Sequence, residues 1–158
     1  MKVKSCGKRT LFSCLENQNV LTPTNIRMLQ IFVDTWHCSP LQAIIATHLM
    51  TEPEIANVLA TLFQMDRLYS LKNHRVDHKS VELLSYKASK ENVSVLLIDD
   101  SGRYDLVVAD PSDQEYIATI RSRATVEFTL AVCERREIVR AIDEKYPLIA
   151  QLPTIMGV

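Results

Sequence analysis

Glycine is nearly missing from this chain: in 158 residues it occurs only as Gly7, Gly102 and Gly157. Loops that cradle phosphate groups need glycines so that backbone N–H groups can approach an anion closely. Neither GxxxxGKS/T nor GxGxxG can be written here, so an ATPase or a dinucleotide enzyme of those kinds is not expected. Cysteine is sparse and unpatterned. Cys6, Cys14, Cys38 and Cys133 form no CxxC pair and no framework spacing, which reads as reduced thiols in a cytoplasm. No apolar run approaches the ~18 residues of a membrane span, and the N-terminus lacks the apolar core of a signal peptide. Direct membrane insertion is therefore not expected. A dominant charge is lacking as well: the net charge is −1 and the pI about 6.4, so no global field draws nucleic acid or anionic lipid. The C-terminal cations Arg121, Arg123, Arg135, Arg136, Arg140 and Lys145 are interleaved with Glu134, Glu137, Asp143 and Glu144, as on a solvated, salt-bridged helix face.

What is present is ordinary globular composition, 47% hydrophobic and 23% charged, arranged in two patterns. The first half has helical periodicity. A short amphipathic helix over Lys8–Gln18 carries Leu11, Cys14 and Leu15 on one face. Thr22-Pro23 starts the next, with an N-cap and a proline whose missing N–H leaves nothing unsatisfied. Ile26, Leu29, Val33 and Trp36 form its apolar stripe. Ser39-Pro40 repeats the start signal ahead of Leu41, Ile44, Ile45 and His48, and Thr51-Glu52-Pro53-Glu54 supplies a capping-box pattern ahead of Ile55, Val58, Leu59 and Leu62. A shift of 29 residues superposes Leu15 on Ile44, Thr22 on Thr51, Ile26 on Ile55, Leu29 on Val58 and Val33 on Leu62. Two copies of a helix–turn–helix unit, each unable to cover its own apolar face, would pack on one another.

The second half changes period. Met65–Asp77 reads as a polar connector with an extended stretch at Leu68–Leu71. A helix follows from Asp77 or His78 to about Ser89. Val93–Ile98, the turn Asp99-Asp100-Ser101-Gly102 and Tyr104–Ala109 make a hairpin. Asp110-Pro111 starts another helix, Thr125–Val132 alternates as a strand, and Glu134–Tyr146 forms the last helix before Pro147. The expected fold class is α+β. A four-helix subdomain of two helix–turn–helix repeats (8–67) precedes an α-β-β-α-β-α unit (68–147), whose small, three-stranded, mainly antiparallel sheet carries helices on one face; 148–158 is a tail or linker.

The segment Asp100-Ser101-Gly102-Arg103-Tyr104 through Val107-Val108-Ala109-Asp110-Pro111 is followed by a helix, a strand and a helix of the form Ile138-x-x-Ala141-Ile142-x-x-x-Tyr146. Behind a doubled helical unit, it resembles the N-terminal domain of type II secretion and type IV pilus assembly ATPases, the GspE N-terminal or MshEN-like domain. The resemblance spans roughly residues 10–147. It implies a non-catalytic domain that docks a cytoplasmic motor onto the cytoplasmic part of an inner-membrane platform protein. In a related subgroup, and beside some membrane glycosyltransferases, it implies cyclic di-GMP binding through Arg-Leu-Gly, a leucine and a second glycine in each copy. Here the arginine positions hold Thr10 and Ser39, the first glycines Phe12 and Leu41, the leucines Leu15 and Ile44, and the second glycines Asn19 and His48. Arg9 lies one residue from an arginine position. The scaffold is read as kept and the nucleotide site as lost.

The expected partner is accordingly a protein, with cyclic di-GMP the alternative. The candidate contact residues are Arg9, Phe12, Leu15, Ser39, Leu41, Ile44, Ile45 and Phe63. Phe12, Leu41, Ile45 and Phe63 are apolar groups that the two repeats would leave uncovered. No cofactor, metal or catalytic residue is expected. Asp110 before a proline reads as an N-cap, and Asp99-Asp100 as a turn. His74, Asp77 and His78 have ligand-like spacing on a helix but no fourth ligand nearby. His37-Cys38 lacks a third group to orient the imidazole, and Ser13, Ser39, Ser70, Ser85 and Ser101 sit in neither GxSxG nor SxxK.

Overall fold

A computed structural model of the chain describes residues 10–151. Four helices come first: α1 (Thr10–Asn17), α2 (Pro23–Trp36), α3 (Pro40–Ala46) and α4 (Glu52–Leu62). The start expected for α1 at Lys8 lies outside the described residues. Thr22, Ser39 and Thr51 each accept the N–H of the residue three further on. Asn25, Gln42 and Glu54 bond back to the cap's own N–H, so three capping boxes open α2, α3 and α4. Each satisfies two orphan donors of a helix start, and a proline within the first two positions removes another.

The helical pairs repeat in detail. Gln18 and Asn19 donate to the Cys14 and Glu16 carbonyls, at 3.2 and 2.9 Å, and Thr47 and His48 donate to Ala43 and Ile45, at 3.1 Å each. Every partner is displaced by the 29 residues read from the sequence. Leu15, Leu29, Ile44 and Leu59, one from each helix, are buried together. Trp36 does not complete the α2 stripe: it is 69% exposed. Helix α4 ends at the equivalent of Val33, and α2 runs one turn further, so Trp36 projects beyond the repeated unit and leans on Phe32, with ring centroids 6.2 Å apart.

The second part contains β1 (Asp66–Arg67), β2 (His74–Arg75), α5 (His78–Leu83), α6 (Tyr86–Asn92), β3 (Ser94–Asp99), β4 (Tyr104–Val108), α7 (Gln114–Arg123), β5 (Phe128–Val132), α8 (Arg135–Lys145) and α9 (Leu148–Gln151). The fold is α+β, but the sheet has five strands rather than three, in the order β1-β5-β4-β3-β2. It is evenly mixed: β2–β3 and β3–β4 are antiparallel, β4–β5 and β1–β5 parallel. The hairpin forms as expected, with Leu96 opposite Leu106. Its turn uses Gly102 at φ +86° and the Asp99 carboxylate, which accepts the Ser101 and Arg103 N–H groups at 2.9 and 3.0 Å.

Helices cover both sheet faces, not one. Val95, Leu96 and Leu97 are consecutive in β3, so they point to alternate faces, and all are fully buried. The expected helix from Asp77 to Ser89 is two helices. Leu84 turns extended, its side chain buried, and Ser85 caps α6 by accepting the Ala88 N–H at 3.1 Å. Residues 148–151, expected as part of a tail, form the single turn of α9.

The break between α5 and α6 is held from α8. The buried Tyr146 hydroxyl donates to the Leu84 carbonyl at 2.6 Å and lies 2.7 Å from the Ser89 hydroxyl. Replacing Tyr146 with phenylalanine keeps the ring and strands two buried polar groups. Tyr146→Phe should lose about 1–3 kcal/mol of stability in urea unfolding at unchanged slope; an unchanged midpoint would mean the two groups find other partners.

Candidate functional site

Two strands that run side by side in parallel end together, and ligand sites of open sheets favour such carboxyl ends. Here β4 runs on into Val108–Asp110 and β5 into Arg135. Beyond them lies a cleft of about 1070 Å³, closed on its other sides by α1, the α2–α3 corner, the end of α6 and the start of α7. A smaller cavity of about 290 Å³, against α5 and the end of α7, holds none of the candidate contact residues.

The cleft gathers some of those positions and not others. Phe12, Ser39 and Leu41 line it, but Phe12 and Leu41 are only 3% and 5% exposed. They form a packed wall instead of the uncovered patch expected of them, because the α2–α3 corner folds back on α1. Leu15 and Ile44 are fully buried behind that wall. Ser39 caps α3 (Gln42 N–H to Oγ, 3.2 Å). Ile45 and Phe63 are half-buried, packed against the core away from the cleft lining. Arg9 lies outside the described residues.

The second-glycine positions hold a surprise in their backbone. Asn19 and His48 both have φ 58°. Each follows its first helix in the left-handed conformation that glycine adopts without strain, and the turn is retained while the small residue is not. Left-handed backbone disfavours a side chain by roughly 1–2 kcal/mol. His48→Gly should therefore raise unfolding free energy by about 1 kcal/mol in chemical denaturation; a loss would mean that the imidazole makes compensating contacts.

Charge in the cleft is lopsided. Asp34, Glu91, Asp110, Asp113 and Glu115 line it against Lys90 and Arg135, and Lys90 is already paired with Asp143 at 2.9 Å. Asp110 differs from its expected role. It caps no helix: its Oδ1 accepts the Ser112 N–H at 2.9 Å, and Asp113, three residues later, caps α7 through the Tyr116 N–H at 3.0 Å. Pro111 and Ser112 occupy the bend between them, so the turn closes on Asp110 before the helix begins. Burial pushes the Asp110 carboxyl above the usual range despite that hydrogen bond, and Asp113 adds to the rise. It also sits near Cys14, whose thiol is raised by burial first and by Asp110 second. Position alone could have marked Asp110 beforehand, since it stands at the carboxyl end of an apolar strand.

The other sequence candidates are structural. His74 lies on β2 and His78 starts α5, so they do not share a helical face. His74 Nε2 is 3.4 Å from the buried Asp105 carboxylate, and Asp77 caps α5 while accepting the Tyr104 hydroxyl at 2.5 Å. His37 is the left-handed C-cap of α2, its N–H bonded to the Val33 carbonyl at 2.8 Å. Among the described residues no group of three or more His, Cys, Asp or Glu side chains is arranged to hold a metal ion.

Because the folded pKa of Asp110 lies above its unfolded value, its protonated form stabilises the fold at low pH, and that contribution is lost as pH rises through the folded pKa. Asparagine keeps an acceptor for Ser112 and carries no charge. Asp110→Asn should raise Tm at pH 7, the gain vanishing below the ordinary carboxylate pKa of about 3.9. A lower Tm at pH 7 would assign Asp110 a charged structural role.

The family described as the MshEN domain matches residues 63–151, from the end of α4 through α9. No curated protein matches the chain. Among solved structures, the N-terminal domain of XpsE matches in two crystal forms. One has a TM-score of 0.67 at 21% identity, covering 93% of this chain and 100% of that one. The other has 0.57 at 24%, covering 92% and 100%. The structure of MshE with cdg has a TM-score of 0.60 at 15% identity, covering 86% of this chain and 98% of that chain. At such identities these likenesses establish the fold, helical pairs included.

Proposed function

The chain belongs to the MshEN domain family, and from that premise we propose that it is a non-catalytic domain that docks a cytoplasmic motor or enzyme onto an inner-membrane assembly through a protein partner. Family and fold fit a regulatory or docking domain. Among the described residues no helix is long and apolar enough to cross a membrane; in this reading the partner is the cytoplasmic part of a platform protein.

The observation that carries the choice of a protein over a nucleotide is the wall of the cleft. Where cyclic di-GMP binders of this kind carry glycine, Phe12 and Leu41 fill the space with buried apolar bulk. A bound dinucleotide would have to displace core side chains, and its two phosphates would face five carboxylates and two cations. That same charge suits a docking segment bearing Lys or Arg. Two observations favour the alternative, cyclic di-GMP binding: the left-handed backbone is kept at Asn19 and His48, and a structural neighbour is MshE with cdg.

Two titrations separate the readings. Cyclic di-GMP at about 100 µM, some hundredfold above a micromolar Kd, should give no heat. The cytoplasmic part of a platform protein should bind, and Glu91→Lys with Glu115→Lys should weaken it about tenfold or more, as loss of rim charge complementarity predicts. Micromolar nucleotide binding that weakens on Arg9→Ala would reverse the assignment.

A further inference from the structure

The 29-residue repeat gives α2 and α4 equivalent faces, and only one of them is covered. In α4, Ala56 and Ala60 are 2% and 4% exposed, because that helix packs against β1 and β5. The equivalent positions of α2 are Arg27 and Ile31. Arg27 is exposed and Ile31 is 67% exposed, with Met28 beside it at 44%. Helix α2 thus turns outward the face by which its twin docks. The inner face is occupied by Leu29, Ile26 and Val33, so the exposure of Ile31 is not a consequence of poor packing of the helix itself.

The residues on this face say what could cover it. At 100° per residue Met28, Ile31 and Thr35 lie in one strip, in the positions of a coiled-coil seam. Arg27 and Asp34, seven residues apart, lie along one edge, and Phe32 lies along the other. Both charged residues are exposed. Arg27 makes no ion pair among the described residues, and Asp34 accepts only the Gln30 side-chain amide, at 3.0 Å. When two copies of such a helix pack antiparallel, like edges meet. Arg27 of each copy then stands opposite Asp34 of the other, and Ile31 and Met28 of the two copies pack between the pairs. A parallel arrangement would not bring these opposite charges together in this way.

We propose that the outer face of α2 is a self-association surface: two copies of this domain pair through α2 and its symmetry mate, antiparallel about a two-fold axis near Ile31. The 14-residue helix is only about 21 Å long, so one face of it buries less than the roughly 800 Å² per partner of a standard interface. The dimer is accordingly weak, with a Kd on the order of 100 µM, a contact that becomes effective when copies are held close together. The acidic cleft stays open in it, since Asp34 is the one cleft residue that the pairing uses.

Sedimentation equilibrium of the whole chain up to about 1 mM, tenfold above the expected Kd, tests this. Arg27→Asp and Asp34→Arg should each weaken self-association about tenfold or more, since each places like charges opposite one another. The two variants mixed should form a 1:1 dimer with near wild-type affinity, and the double swap should restore it within one chain. Circular dichroism checks that each variant stays folded, and both sites are exposed. A wild-type chain that remains monomeric at the highest concentration overturns the proposal and leaves the face to a different protein. A dimer indifferent to both charge changes overturns it too, by assigning the contact to another surface.

Discussion

The parallel alignment of β4 and β5 governs the layout of this molecule. Parallel neighbours cannot be joined by a tight turn, so the chain must cross over the sheet, and α7 makes that crossing. The pairing brings Val108 beside Val132, both buried, and lets both strands finish at one edge of the sheet. It also leaves the far side of β5 open to a second parallel strand, which β1 fills directly after α4. The helical repeat is therefore tied to the sheet by backbone hydrogen bonds as well as by side chains. Arg67 reinforces the joint, donating to Asn57 on α4 at 2.8 Å and pairing with Glu134 at 3.4 Å. Glu52 adds a link from the start of α4 to the start of α8, accepting the Arg136 N–H at 3.0 Å. The cleft exists because these contacts fix α1 and the α2–α3 corner over the ends of β4 and β5.

Within the repeat, backbone and side chains have parted company. The capping boxes that open α2 and α4 and the left-handed turns at Asn19 and His48 are preserved between the copies. These features depend on local hydrogen bonding that any suitable cap residue can provide. The positions that would admit a ligand to bare backbone carry Phe12 and Leu41, and the space has become core. A scaffold of this kind can therefore keep its backbone geometry while the side chains at such positions are apolar and buried.

Much of the fold was legible where a local rule acts alone. The three helix starts at Thr22, Ser39 and Thr51 could be read because each cap is followed within two residues by a proline. The β3–β4 hairpin could be read because apolar strands flank a turn whose glycine takes a positive φ. Strands β1 and β2 were not legible. Each is two polar residues long and pairs with a strand distant in sequence, and no alternation marks Asp66-Arg67 or His74-Arg75. The α5–α6 break was hidden because Leu84 continues the apolar period of the helix. It breaks where the Tyr146 hydroxyl, 62 residues away, satisfies its carbonyl. The site was half legible. Phe12, Ser39 and Leu41 were singled out, but as an uncovered patch with Ser39 beside it, whereas the structure makes Phe12 and Leu41 a buried wall. Asp110 was read as a cap because Pro111 follows it, and the competing cap, Asp113, won.

By itself the sequence determined the doubled helical unit, the hairpin and the family resemblance, because those follow from periodicity and neighbouring residues. The family match over residues 63–151 bears that resemblance out. The tertiary structure alone decided that the sheet is mixed and five-stranded, that both its faces are covered, and that the α2 face equivalent to the one α4 buries remains open. Those outcomes depend on which distant segments meet, and pairing between distant backbones leaves no mark in the order of the residues.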